Sequence, residues 1–280
     1  MPELPEVETI RQIISKDIVN KVIDKVEILE KKQFIGNPKI LKDKKIVDVQ
    51  RKGKVMAIKL DNNLFISIHL KLTGQLLFSK NFPQSEFKTQ IPFTQTNKMP
   101  SKTTRIIIHF KDNSALFFND MRKFGWMKLT DKIEGPKAID VLDKDFTFDY
   151  FEAKIKSSGK PIKILLMDQD KMAGIGNIYA NEALFLSRID PRRKSKSLNS
   201  VEIKNLYDSI KKTIDKGLKY QGSSGRDEAY ILPNGERGGY QKHFLVYQRE
   251  GEKCPNNCKG KIERVKQAGR SSFYCVTCQK

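Results

Sequence analysis

An α+β fold is expected, with a helix at the N-terminus, an antiparallel β-sandwich or flattened barrel over the first half, and a helical second half ending in a cysteine-rich hairpin. Three observations predict it. Seven short segments rich in β-branched and aromatic residues fall between residues 21 and 130, with no helical pattern between them. Beyond residue 147 the pattern changes to apolar residues at spacings of three and four. Four cysteines then stand in two close pairs, Cys254 with Cys258 and Cys275 with Cys278.

The chain begins MPELPEVETI. Pro5 suits the first turn of a helix, Glu6 and Glu8 suit its positive end, and Val7, Ile10, Ile13 and Ile14 make an apolar stripe at helical spacing. Pro2 and Glu3, a ring amine and a carboxylate, lie outside that explanation. The strand candidates are VIDKVEILE, KIVDVQ, KVMAIKL, LFISIHL, TRIIIHF, ALFFND and WMKL, separated by turns such as Asp61-Asn62-Asn63 and Asp112-Asn113-Ser114. Residues 80–103, with Pro83, Pro92 and Pro100, read as a long, partly disordered loop without a derivable role. Gly135-Pro136, in an acidic stretch, marks a linker. YFEAKIK, PIKILLMDQ, GNIYANEALFLSR and SVEIKNLYDSIKKTIDKGL then read as helices, the last with Ile203, Leu206, Ile210, Ile214 and Leu218 in register. The expected division is a domain at 1–133, a linker at 134–147, a helical domain at 148–246 and a terminal hairpin at 247–280.

With 53 Lys+Arg against 33 Asp+Glu, the formal charge of the 280 residues is +20, which calls for a polyanionic partner. Nucleic acid is favoured over membrane. No apolar run approaches the roughly 20 residues of a membrane-spanning helix, and a start carrying Glu3, Glu6 and Glu8 is the opposite of a basic secretory signal. The expectation is therefore a cytoplasmic, nucleoid-associated protein whose cysteines are reduced unless a metal holds them.

Two close pairs of thiolates, sixteen residues apart, suit one tetrahedral Zn2+, with KIERV and SSFYC as the arms of a hairpin. Two disulfides or free core cysteines are the alternatives. Gly174 and Gly176 before a helix starting near Asn177 permit a phosphate to approach exposed N–H groups, although an ordinary turn explains them equally well. Lys54 and His69 lie on or beside strands and are compatible with an edge lysine and a satisfied histidine. In NDMRKFGWM, Arg122 and Phe124 offer a planar donor and an aromatic wedge of the kind that fills a gap in a base stack, or else a surface turn with an apolar anchor.

MPELPEVET, NDMRKFG, GIGNIYANEALF and the paired-cysteine terminus occur together and in order over the entire chain. In this they resemble the formamidopyrimidine-DNA glycosylases, the bacterial base-excision family for oxidised purines. The resemblance implies a helix-two-turn-helix unit within 148–246, a zinc finger at 247–280, and a monomer that clamps lesion-containing double-stranded DNA. With Met1 removed, it makes Pro2 the nucleophile at the sugar C1′ and Glu3 its acid/base partner. Glu6 becomes a supporting carboxylate and Lys54 a contact to phosphate and the damaged nucleotide. His69, Asn177 and Arg270 would bind flanking phosphates, Leu72, Arg122 and Phe124 would fill the void left by the everted nucleotide, and Glu182 would assist DNA binding on the helical unit. Cys254, Cys258, Cys275 and Cys278 would hold one structural Zn2+. GSSGRDEAYILPNGERGGYQ corresponds to the mobile lid over the flipped base.

The sequence also departs from the family pattern. Leu72 replaces a methionine, Met121 a proline, and three residues rather than two separate Cys254 from Cys258. Near Lys160 the basic run is broken by Ser158-Gly159, so no catalytic lysine is assigned there. An endonuclease VIII-like enzyme for oxidised pyrimidines, and a zinc-containing DNA-binding protein without catalysis, are the competing readings.

Overall fold

Three consecutive isoleucines, Ile106-Ile107-Ile108, show how the first part of the molecule is built, because a strand apolar on both sides must be covered on both faces. The computed structural model describes residues 1–225 and 229–280, and these form two units. One comprises Met1–Gly135 with Tyr220–Gln241, the other Pro136–Lys219 with Lys242–Lys280.

In the first unit, α1 (Leu4–Ile18) precedes β1 (Ile23–Ile28), β2 (Phe34–Ile35), β3 (Ile46–Lys52), β4 (Val55–Leu60), β5 (Phe65–His69) and β6 (Gly74–Ser79). After these come β7 (Ser85–Glu86), β8 (Lys98–Met99), β9 (Thr104–Phe110), β10 (Ala115–Asp120) and β11 (Trp126–Thr130). The expected sandwich is present. One sheet runs β1-β9-β10-β6 and the other β2-β11-β5-β4-β3, antiparallel throughout except where β2 meets β11. Ile58, Ile66, Ile68, Leu76, Ile106, Ile108, Leu116 and Phe118 share one core with Val7, Ile10, Ile14 and Ile18 of α1. The helical stripe thus packs where its spacing directed it.

The alternate residues Leu77, Ile107, Ala115 and Phe117 belong to a second cluster, covered by Phe87, Ile91, Met99 and Ile231. Residues 80–103 are accordingly an ordered excursion containing the β7–β8 hairpin, and the expectation of partial disorder is corrected. The double-faced apolar pattern of β9 and β10 required such a cover. β6 was absent from the expected strands, because Gly74-Gln75 at its start resembles the end of a turn.

The second unit contains α2 (Phe148–Lys156), α3 (Ile162–Leu166), α4 (Asn177–Leu186), α5 (Ser200–Lys219), β12 (Ile262–Gln267) and β13 (Arg270–Cys275). α5 packs on α2 and α4, and β13 packs on α4. Phe146, Phe151 and Tyr207 form an aromatic group against α5, fixed by the Tyr207 hydroxyl donating to the Phe146 carbonyl at 2.8 Å. Phe185 and Val246 continue the core into the hairpin beside Ile262 and Phe273. Tyr220–Gln241, which the sequence groups with the helical domain, packs in the first unit because Tyr230 and Leu232 enter the sandwich core.

Candidate active site and zinc centre

Glu3 is the N-cap of α1, and its backbone N–H donates to Glu6 Oε2 at 2.8 Å, half of a capping box. Pro2, Glu3 and Glu6 are all buried. The second Glu6 oxygen, Oε1, accepts from the Ser223 backbone N–H at 2.8 Å. Gly222 permits this approach: a Cβ there would stand 2.8 Å from Glu6 Cγ, and its φ of +77° suits glycine. Glu6 therefore does more than favour a helix dipole. It ties the Pro2-Glu3 terminus to the Tyr220–Gln241 segment.

Lys54 lies in the Gly53-Lys54 turn of the β3–β4 hairpin rather than within a strand. This turn is anchored to α1 by Arg51, whose guanidinium pairs with Glu8 at 2.9 Å and donates to the Gly53 carbonyl at 2.8 Å. With Arg11 also on Glu8, the two guanidiniums hold its carboxyl below the usual carboxylate range despite the opposing effect of burial.

His69 ends β5 between Val55 of β4 and Trp126 of β11. Its Nδ1 accepts from the Lys71 backbone N–H at 3.0 Å, so the neutral ring carries its proton on Nε2, ready to donate. Burial, with Lys71 and Lys54 nearby, pushes its pKa down to about 4. The unfolded chain takes up this proton near 6.5, whereas the folded chain does so only near 4. The stability contribution is therefore complete above pH 6.5 and is lost as pH falls through that window. Proton NMR of the free protein is expected to show His69 titrating near pH 4; a midpoint near 6.5 would contradict this environment.

Thr73, which follows Leu72, and the Arg122–Phe124 loop are brought together by Asp120. Its Oδ1 accepts from Thr73 Oγ1 and from the Arg122 backbone N–H, and its Oδ2 accepts from the Gly125 N–H at 2.7 Å and Gln33 Nε2 at 3.0 Å. Thr73 Oγ1 also accepts from the Arg122 N–H at 3.0 Å. Asp120 is fully buried, whereas Phe124 is 53 % exposed with the Arg122 guanidinium 4.9 Å from its ring centroid. A buried carboxylate thus presents an exposed Arg-Phe pair on a loop bonded to Thr73, the residue after Leu72. Sequence reasoning missed Asp120, Thr73 and Gln33. Asp120→Ala strands several buried donors and is expected to destabilise the first unit by about 3 kcal/mol, measured by denaturant unfolding; unchanged stability would contradict the network.

In the second unit, Asn177 opens α4, with its Nδ2 3.5 Å from the Tyr247 hydroxyl. Arg270 is exposed at the start of β13. Glu182 requires a correction. It is fully buried, and its carboxylate accepts from the Leu245, Val246 and Tyr247 backbone N–H groups at 2.8 to 3.0 Å. It holds the irregular Leu245–Tyr247 segment leading to the hairpin, and its full burial leaves no surface for contact with DNA. Burial raises its pKa against the lowering effect of those three N–H groups. Asn181 Oδ1 accepts from the Phe273 N–H at 2.7 Å, and buried Lys163 donates to the Ser271 carbonyl at 2.7 Å. Lys160 pairs with Asp168 at 2.8 Å.

All four cysteine sulfurs lie within 4.8 Å of one another. Cys254 and Cys278 are 3.6 Å apart and Cys258 and Cys275 3.4 Å, far beyond the roughly 2.05 Å of a disulfide. Zn–S bonds of about 2.3 Å in a tetrahedron separate the sulfurs by about 3.8 Å, so the donor set fits one structural Zn2+.

This fold and site define a class: a helix-led β-sandwich with Pro2 and the acid Glu3 buried at the start of its helix, followed by a helical unit ending in a four-cysteine hairpin. The family model for the formamidopyrimidine-DNA glycosylase N-terminal domain matches residues 1–127, that for the formamidopyrimidine-DNA glycosylase H2TH domain 138–228, and that for the zinc finger found in FPG and IleRS 251–280. A formamidopyrimidine-DNA glycosylase of Pelotomaculum thermopropionicum is 38 % identical, over 100 % of this chain and 99 % of that protein. One from Carboxydothermus hydrogenoformans is 35 % identical over the full length of both. The MutM (Fpg) structure from Thermus thermophilus superposes with a TM-score of 0.85 at 30 % identity, covering 99 % of this chain and 98 % of that one. A Lactococcus lactis Fpg mutant in complex with Fapy-dG-containing DNA gives 0.84 at 30 % identity over both full chains. The chain belongs to the formamidopyrimidine-DNA glycosylase family.

Proposed function

We infer that the protein is a base-excision DNA glycosylase and abasic-site lyase removing oxidised purines, 8-oxoguanine and formamidopyrimidines, from double-stranded DNA. The observation that carries this reading is the Pro2-Glu3 pair, buried and held by Glu6 at the capped start of α1. After Met1 is removed, the Pro2 nitrogen attacks the sugar C1′ and the bond from C1′ to the base breaks. Glu3 protonates O4′ as the ring opens. The resulting imine of a secondary amine has no N–H proton to lose and stays cationic. It is an electron sink that acidifies the neighbouring sugar carbon and leads to β- and then δ-elimination.

Lys54, His69, Asn177 and Arg270 are assigned to the DNA backbone and the damaged nucleotide, where their work is positioning. Leu72, Arg122 and Phe124 are assigned to the void. The lid assignment includes residues 226–228, which lie outside the described residues. Cys254, Cys258, Cys275 and Cys278 would hold one Zn2+, which closes the hairpin and supplies folding energy there.

A monomer is proposed, as the family resemblance implies. Relatives from bacteria and neighbours solved with damaged DNA support action on the bacterial nucleoid. Among the described residues no helix is long and apolar enough to cross a membrane.

Competition between 8-oxoguanine and thymine glycol duplexes tests the substrate class. Preferential excision of 8-oxoguanine is expected; a preference for thymine glycol would transfer the assignment to oxidised pyrimidines. Removing the metal with a chelator is expected to cost DNA binding while leaving the unfolding of the first unit unchanged, as followed by denaturation with site-specific probes. Simultaneous loss of both units would contradict this partition.

A further inference from the structure

The excursion at residues 80–103 does more than cover the outer face of a sheet. It grips the segment that reaches the proposed nucleophile. Phe87 and Ile91 pack with Ile231, and Thr89 Oγ1 donates to the Gly235 carbonyl at 3.0 Å. The Phe87 ring lies so close to Gly235 that a Cβ there would stand 3.1 Å from Phe87 Cδ1, at a φ of +86° that suits glycine. The backbone of the sheet joins the grip, the Phe78 N–H donating to the Pro233 carbonyl at 2.9 Å. Leu232 and Glu236 close this stretch as a turn, with the Leu232 N–H on the Glu236 carbonyl at 2.8 Å.

From that turn, hydrogen bonds lead back to the reaction centre. Ser224 Oγ donates to the Tyr230 carbonyl at 2.8 Å and accepts from the Gly238 N–H at 3.0 Å. Gln75 Nε2 holds the Ala229 carbonyl at 3.0 Å. Ser223, next in the chain, donates its N–H to Glu6 Oε1, and Glu6 Oε2 holds the Glu3 N–H. A packed, hydrogen-bonded path within one unit therefore runs from Phe87 and Thr89 to Glu6 and Glu3.

We propose that the 80–103 hairpin is a positioning element for catalysis, with Phe87 and Thr89 fixing Ile231–Gly235 and through it the Ser223 contact that sets Glu6 beside Pro2-Glu3. The inference rests on the proposed function, since it concerns the same nucleophile and acid. It assigns Phe87 and Thr89 no contact with DNA. They act through the segment they hold.

The test compares the full chain with the double variant Phe87→Ala/Thr89→Val, and with Thr89→Val and Thr89→Ser alone. Single-turnover base release from an 8-oxoguanine duplex is measured at saturating enzyme, beside affinity for undamaged duplex and the thermal midpoint. The double variant is expected to slow release at least fivefold with undamaged-duplex affinity unchanged. Thr89→Val is expected to slow it to a smaller extent, and Thr89→Ser, which keeps the donor, to restore the wild-type rate.

Combining the double variant with Glu6→Gln is expected to cost less than the product of the separate losses, because both act on one path. A wild-type rate in a folded double variant, or strictly multiplicative losses, would overturn the proposal. If the double variant does not fold, Thr89→Val against Thr89→Ser decides alone, and equal rates for the two would overturn it. Borohydride trapping by the unmodified protein is run in parallel. If that fails, the functional reading falls; if it succeeds while the variants behave as wild type, only the positioning role falls.

Discussion

Pro2→Gly is expected to lose most of the covalent complex that borohydride traps on lesion-containing duplex, and to slow base release by two orders of magnitude or more, roughly the lower range of what a positioned catalytic group contributes. Glycine retains an α-amino group, so the variant tests the secondary amine rather than the mere presence of a terminus. In model compounds an α-amino group ionises near 8 against roughly 10.4 for a lysine side chain, with proline somewhat above a primary amine, so a terminal amine gives up its proton more readily than a lysine does. Glycine can form an imine too. That imine can lose its N–H proton and with it the permanent positive charge that drives elimination. A retained Met1 is a stricter form of the same test, because it converts the Pro2 nitrogen into an amide. Such a protein is expected to bind DNA as before and to cut nothing. Efficient trapping by either form would contradict the assignment of Pro2.

Glu182→Ala is expected to have the largest structural effect of any single substitution in the second unit. The side chain satisfies three backbone N–H groups at Leu245, Val246 and Tyr247 from a fully buried position. Removing it leaves those donors without an acceptor in the interior, at a cost of about 4 kcal/mol. The segment they belong to leads into the zinc hairpin, whose Phe273 and Ile262 pack with Val246. Chelator extraction of zinc should therefore become faster, and DNA affinity should fall with it. Glu182→Gln keeps an acceptor on one oxygen and is expected to lose less. A direct DNA contact would behave in the opposite sense, since removing a negative charge beside phosphates strengthens binding without lowering stability. Denaturant unfolding and salt-controlled binding measured on the same variants distinguish the two.

The sandwich strands and the long helices are legible in the sequence because their apolar spacing is a direct consequence of which face is buried. TRIIIHF and ALFFND carry a further message beyond their being strands. Leu116 and Phe118 are in phase with Asp120, so alternation alone puts that carboxylate on the inner face. Ile107 and Phe117, out of phase, require a second cover, and residues 80–103 supply it. Glu182 is open to the same reasoning. IYANEALF is apolar around much of the helix, so the acid within it has to be buried and partnered.

What spacing does not disclose is pairing over long sequence separations. The Ser223 N–H reaches Glu6, Gln75 reaches Ala229, and Lys163 reaches Ser271, each through tertiary packing without a local pattern. Pro2 and Glu3 are the converse case. Periodicity has no place for them, and the family resemblance supplies a chemical role that the burial of both residues supports.

The most direct measurement is peptide mapping by mass spectrometry after borohydride reduction of the protein on an 8-oxoguanine duplex. A single adduct on the peptide that begins at Pro2 is expected, with fragmentation locating it on the N-terminal proline. An adduct on a lysine-containing peptide such as that of Lys54, or base release with no adduct at all, would contradict it.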